Sequence, residues 1–212
     1  LWSIPQAGGT IDAALQADMS SLPSGQYDYT LTTGIRQFTG TIFAGSSSDN
    51  KGKLLNVNTI NSPFGSGWGI AGWQELVENP DKLVLLIDGD GGELVFDAPT
   101  TTIGVYGAPP GDFSRLEKLS DGTFRRTLKD KTVYSFNSAN HLISVKEPEG
   151  NETKYVYNPA AKIARIVYPA WLSTTFAYVN GKVSEIIDPA GRTTQLEYDT
   201  AGNLQKIVDP DT

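Results

Sequence analysis

The chain carries little that could do bond-making chemistry. There is no cysteine, so thiolate nucleophiles, disulfides and cysteine-bound zinc are excluded. One histidine, His141, is present, which rules out a multi-histidine metal site; any Ser-His-Asp triad would have to use it. It follows Asn140 in a turn, no serine sits in a GxSxG elbow, and it reads as a surface turn residue. Asp88, Asp90 and Glu93 form an acidic tip, but glycine stands at the fifth position, where a calcium loop needs a ligand, so this reads as a solvated turn. Gly67, Gly69 and Gly72 spell GxGxxG, yet Pro63 and a Gly-Ser-Gly run precede them instead of a strand, so a tight backbone path around two tryptophans is expected. A pair among the 24 acids could serve glycoside hydrolysis, but none singles itself out. No catalytic residue, metal ligand or cofactor is assigned. Stacking on a sugar ring is left to Trp2, Trp68, Trp73 and Trp171, with Trp171, Tyr178 and Tyr198 as the ligand-binding candidates. Asn151-Glu152-Thr153 matches a glycosylation sequon and is read as a turn.

Composition narrows the classes further. A net charge of −7 over 212 residues argues against nucleic-acid binding, which needs clustered Lys and Arg. The longest apolar run, Leu83 to Ile87, is far shorter than the ~20 residues of a membrane span. Leu1 is not a start methionine and no signal peptide is visible, so a processed chain or an excerpt is expected. The 22 glycines, 12 prolines and 10% aromatic residues suit a turn-rich β protein.

The elements that must position these residues announce themselves by repetition. Pro148, Pro169, Pro189 and Pro210 are spaced 21, 20 and 21 residues apart. Six residues before each stands an aliphatic (Leu142, Ile163, Val183, Leu204), and three before each a β-branched one (Val145, Ile166, Ile186, Ile207). Nine after the first three stands Tyr157, Tyr178 or Tyr198, with Tyr155, Phe176 or Leu196 two residues earlier. Each unit reads as a strand, a turn, a second short strand and a proline that ends pairing, so successive hairpins must stack to bury their apolar faces. The tyrosines and prolines are therefore read first as repeat-structural residues. Phe136, 21 residues before Tyr157, extends the phase backward.

These columns, with Asp188-Pro189-Ala190-Gly191-Arg192, Tyr198-Asp199, Gly202 and Asp209-Pro210, resemble the Rhs/YD-repeat family. Earlier copies are degraded: Asn158 follows Tyr157, Val179 follows Tyr178, and Tyr168-Pro169 stands for Asp-Pro. The run from Asn61 to Trp73 resembles the family's entry segment. The resemblance implies a spiralling sheet that, in longer relatives, closes into a cocoon around a C-terminal segment, often a toxin. It also implies a secreted or cell-surface location. The family's late self-cleavage region has no counterpart here.

The expected fold is all-β: a curved antiparallel meander of stacked hairpins over 60–212, after a small β-rich lead-in over 1–59. In the lead-in, Thr10 to Met19 has a short helical spacing with Thr10 as N-cap. Tyr27 to Leu31 and Phe38 to Phe43 alternate as strands, Gly45 to Gly52 reads as a polar loop, and Leu54 to Ile60 as another strand; a truncated β-sandwich is the alternative. Asp88 to Gly92 is a hairpin turn, and Thr100 to Asp112 a loop. The leading function is a non-enzymatic module of an Rhs-type shell that scaffolds or encloses protein cargo, its columns buried between repeats and a polar inner face left for the cargo. A glycan-binding adhesin-like module and a carboxylate-pair hydrolase are the alternatives. An exposed sheet edge predicts edge-to-edge dimers of the isolated chain.

Overall fold

The computed structural model describes residues 12, 14–39, 42–99 and 102–210; for 35–39 and 42–44 the backbone alone is described. Among these residues the chain forms sixteen strands, one 3-10 turn and no α-helix. A long hairpin pairs β1 (Gly25–Thr39) with β2 (Ile42–Asn56). A three-stranded sheet follows: β3 (Gln74–Glu78), β4 (Val84–Asp88) and β5 (Glu93–Phe96). An eleven-stranded antiparallel meander completes the fold, with every strand beside its sequence neighbour. Its first five strands are β6 (Val105–Tyr106), β7 (Arg115–Lys118), β8 (Phe124–Thr127), β9 (Val133–Phe136) and β10 (Leu142–Lys146). They continue into β11 (Glu152–Tyr157), β12 (Ile163–Val167), β13 (Ser173–Val179), β14 (Lys182–Ile187), β15 (Thr193–Tyr198) and β16 (Leu204–Val208).

One turn design recurs on both margins of the meander. In Asp188–Arg192 the first residue's N–H donates to the fifth residue's carbonyl (2.9 Å), and the fourth residue's N–H to the first carbonyl (3.0 Å). Asp199–Asn203 repeats this, with Gly202 donating to Asp199 and Asp199 to Asn203. The leading Asp Oδ1 accepts the N–H groups of the third and fifth residues, each at 2.9 Å in both turns. The fourth position lies in the left-handed region, at φ 81° for Gly191 and 83° for Gly202, which glycine adopts without steric cost. The Asp of Asp-Pro-x-Gly and the Asp of Tyr-Asp are thus the same turn position on opposite margins. Pro189 follows the first of them, where its fixed φ suits a type I turn. Pro148 holds the same place after Glu147, Pro169 opens the 3-10 turn Pro169–Trp171, and Pro210 lies exposed in the turn after β16.

The apolar columns share one face because each repeat carries an extra residue. Leu142 and Val145 are three apart, as are Ile163 and Ile166, Val183 and Ile186, and Leu204 and Ile207. Strict alternation would send each pair to opposite faces. The pairing skips Ile143, Ala164, Ser184 and Gln205, so a β-bulge in each second strand brings both members to the same side. Across the strands, Tyr157 faces Ile163, Tyr178 faces Val183 and Tyr198 faces Leu204.

Two cores cover that face. Beneath β3–β5 lies a cluster of Leu76, Val84, Leu86, Phe96, Tyr106, Leu116, Phe124, Phe136 and Leu142. Over β11–β16 lies a second, in which Phe64 from the irregular entry run packs with Ile163, Ile166, Phe176, Val183 and Leu196. Trp73 touches both. The column-bearing face is therefore filled by residues of this same chain, where the sequence suggested packing between repeats around a polar cargo face. The three-stranded sheet is tied to the meander by bridges Asp97–Gly107 and Glu75–His141.

The lead-in departs from expectation in several places. Residues 14–19 form no helix, while Thr10 and Ile11 lie outside the described residues; Leu15 is 68% exposed, so no packing supports so short a helix. Phe38 and Phe43 are cross-strand partners, not one strand, since the chain reverses between Thr39 and Ile42. Gly45 to Gly52 runs within β2: its Ser, Asn and Gly residues suggest a loop, but continuous pairing with β1 fixes them, and Thr32 Oγ1 donates to Asp49 at 2.7 Å. The strand expected to reach Ile60 stops at Asn56, whose side-chain amide donates to the Leu22 and Pro23 carbonyls. The expected 100–112 loop contains β6.

Candidate functional site

The repeat tyrosines lie on the column face, and their hydroxyls are committed. Tyr157 donates to the Leu142 carbonyl (2.8 Å), Tyr178 to Ile163 (2.6 Å) and Tyr198 to Val183 (2.7 Å), each 15 residues back. Each acceptor belongs to the residue just before a bulge, where the strand ladder is interrupted. A tyrosine ring thus pairs with the next strand while its hydroxyl serves the preceding hairpin. The pairing of β7 with β8 contains no extra residue, and the position in phase with the tyrosines there is Phe136, which has no hydroxyl. Burial pushes the Tyr157 and Tyr178 hydroxyls up to about 12, and raises Tyr198. Tyr178 and Tyr198 are half-buried, and Lys162 Nζ stands 5.5 Å from the Tyr178 ring centroid.

Trp171 is placed otherwise. It is 91% exposed at φ 65°, beside Ala170 at φ 63°, and Leu172 next to it is 53% exposed. Trp73 donates its indole N–H to Tyr157 Oη at 2.9 Å, while Trp68 is 52% exposed. Trp2 lies outside the described residues.

His141 is not a surface turn residue. Its ring stacks on Tyr157 (centroids 5.0 Å, planes 26° apart), with Nε2 3.9 Å from Glu75 Oε1, because the Glu75–His141 bridge draws it beneath β3. The GxGxxG glycines serve a crossing, not a phosphate: a Cβ on Gly69 would stand 2.6 Å from the Gly89 carbonyl, and no helix follows. The acidic tip is likewise used internally. Asp88 accepts from the Gly72 N–H and the Gln74 side chain (both 2.9 Å), and Asp90 accepts from the Gly92 N–H. Among the described residues no cluster of three or more His, Asp or Glu could hold a metal.

A polar network missing from the sequence-level picture lies in the first core. Arg126 is 7% exposed; it donates to Asp112 (2.8 Å), Ser114 (2.9 Å) and Gln74 (3.4 Å), and lies over the Phe96 and Tyr134 rings. Burial alone would raise the Asp112 carboxyl, but hydrogen bonds from Ser114 and the Arg126 charge outweigh it and hold it below its ordinary value. Nothing in a lone Arg on a short strand signals this.

A cleft of about 500 Å³ opens between the irregular 57–69 run and the outer face of β3 and β4. Val77, Ile87 and Trp73 line it, with Trp68, Glu75, His141 and Lys162 around them.

These features define a β-hairpin repeat protein whose units are joined by aspartate turns, bulges and tyrosine ties. Residues 179–212 match the RHS Repeat family, which supports the Rhs/YD-repeat resemblance across the last hairpins. No curated protein matches the chain. Among the described residues no helix is long and apolar enough to cross a membrane.

Proposed function

We propose that this chain is a structural module of an Rhs-type shell, whose work is to scaffold or enclose other polypeptide, toxin or adhesion cargo among it. The observation that carries this is the uninterrupted sequential meander, in which each hairpin presents the next with a ready edge and, from β10 on, a bulge carbonyl for its tyrosine. The RHS Repeat match over 179–212 supports it, and Rhs-type repeats are typically extracellular or surface-associated, so we place the protein on the cell surface or outside it. The test is limited proteolysis of the native gene product with mass spectrometry. Further hairpins after residue 212, and cargo cleaved much more slowly than free peptide, are expected. A product with no further hairpins, or cargo cut at the free-peptide rate, overturns the proposal.

The edge of β16 supports a partner proposal of the same kind. Ile207 is 49% exposed, whereas its column-mate Ile166 is 6% exposed. We propose that the isolated chain pairs there with a second copy. Sedimentation equilibrium should show a concentration-dependent dimer; a strict monomer at high concentration rejects it.

A further inference from the structure

The cleft between the 57–69 run and the outer face of β3 and β4 is unused by the structural role above. Its floor exists because β3 alternates: Leu76 points into the first core, so Glu75 and Val77 point away from it. The volume, about 500 Å³, is within the ordinary range of small-ligand sites. Trp68 stands at the cleft with 52% of its surface open, and Thr59 and Asn61 are among the other residues that line it.

The charged groups are already engaged with their own surroundings. Asp88 accepts from Gly72 and Gln74, Lys162 donates to the Gly181 carbonyl, and Glu75 stands beside His141. Glu75 and Asp88 outnumber Lys162 around the cleft, so an anionic ligand gains no attraction there. What is offered outward is a flat indole next to hydroxyl and amide groups. A flat apolar ligand would cover the indole but leave those polar groups desolvated and unpaired, which costs free energy. A sugar ring satisfies both demands, with a C–H face for the indole and hydroxyls at its rim.

We infer that this cleft binds a neutral oligosaccharide of two or three rings, stacked on Trp68 and hydrogen-bonded by the Thr59 and Asn61 side chains. The inference is independent of the shell proposal and uses a different surface from Trp171.

The experiment is saturation-transfer NMR with isotope-detected titration of the whole chain. The probes are cellotriose, maltotriose, mannotriose and triacetylchitotriose, each taken to about 10 mM because weak sites lie at the millimolar end of the affinity scale. At least one probe should bind and shift the Trp68 indole N–H resonance. Trp68→Ala should weaken that binding tenfold or more, Asn61→Ala severalfold, and Trp171→Ala not at all. Trp68 is half open, so its removal should leave the thermal transition in place, and a melt of each variant checks this. Silence from all four probes, binding that survives Trp68→Ala, or binding lost with Trp171→Ala overturns the inference. So does selective binding of a short peptide at the same indole.

Discussion

The two halves of the meander solve one packing problem differently. Strands β6–β10 are roofed by a regular three-stranded sheet, and six members of that core are completely or almost completely buried: Val84, Phe96, Leu116, Phe124, Phe136 and Leu142. Strands β11–β16 are roofed by an irregular run; Ile163 and Val183 there are fully buried, but Phe176 and Leu196 keep 8% exposure, as Tyr106 does in the first core. In the first half the one buried charge is met by a full set of partners around Arg126. In the second, the pairs β11–β12, β13–β14 and β15–β16 each carry a bulge, and the tyrosine at or next to the end of each first strand donates its hydroxyl to a carbonyl of the preceding hairpin. The regular roof closes over a tightly buried core with one polar network inside it; under the irregular one, the repeats are tied to each other.

The largest effect should come from emptying the first core. Phe124→Ala should cost about 4 kcal/mol in urea denaturation, from lost burial plus a cavity that a rigid roof cannot collapse. Phe176→Ala, at the wetter site, should fall at the low end of that range, about 3 kcal/mol or less. Equal losses would show that the two roofs are equally rigid and break the contrast.

Next in size is the buried ion pair. Asp112→Ala leaves the Arg126 guanidinium buried without its carboxylate and should cost about 3 kcal/mol, while Arg126→Met combined with Asp112→Leu should come close to neutral. Because the Asp112 carboxyl is held below its ordinary value, its contribution is present above the unfolded-state pKa of about 4. It is lost as pH falls through the lowered folded value. Melting temperature followed from pH 5 to 2 should therefore drop less steeply in the double variant than in the parent; parallel curves would assign acid sensitivity to other carboxylates, such as those of the turns.

Tyrosine ties, which run from β11 onward back to the preceding hairpin, should be smaller. Tyr157→Phe and Tyr178→Phe should each cost about 1–2 kcal/mol, since each strands a carbonyl beside a bulge. Phe136→Tyr should gain nothing, because β8 leaves no such carbonyl to serve. These two hydroxyls, pushed up to about 12 by burial, favour the folded state fully below pH 10. That contribution is lost as pH rises through 12, and both Phe variants should flatten the alkaline limb of the stability curve. A gain from Phe136→Tyr would separate the tyrosine's role from the bulge.

The second half was also the legible half. Its columns, turn aspartates and glycines recur every 20 or 21 residues, and the three-residue spacing of the aliphatics already encodes the bulge, although alternation alone assigns the two members to opposite faces. The first half is legible as hairpins but not as a roof, because nothing local tells Leu76 that it will share a core with Phe136. The Arg126 network and the burial of His141 come from long-range pairing for the same reason. Gly45 to Gly52 misled because its composition suits a loop and only the opposite strand makes it extended. The cleft had no signal beyond Trp68, whose exposure depends on the crossing at Gly69 and Gly89.

The smallest effect tests a turn in which a bulky, exposed side chain takes the left-handed position that glycine fills in the aspartate turns. Trp171 occupies a left-handed conformation, at φ 65°, in a turn closed by the Tyr168 N–H to the Leu172 carbonyl at 2.8 Å. In Asp188–Arg192 and Asp199–Asn203 glycine takes that conformation. A side chain there carries strain of about 1–2 kcal/mol, part of which glycine returns through its greater unfolded-state freedom. At 91% exposure the indole buries little in compensation. Trp171→Gly should therefore stabilise the chain by a few tenths to about 1 kcal/mol, read as a small rise in urea midpoint at constant slope. If Trp171→Gly instead destabilises, the indole is packed in solution, and the second half is better roofed than its open turn suggests.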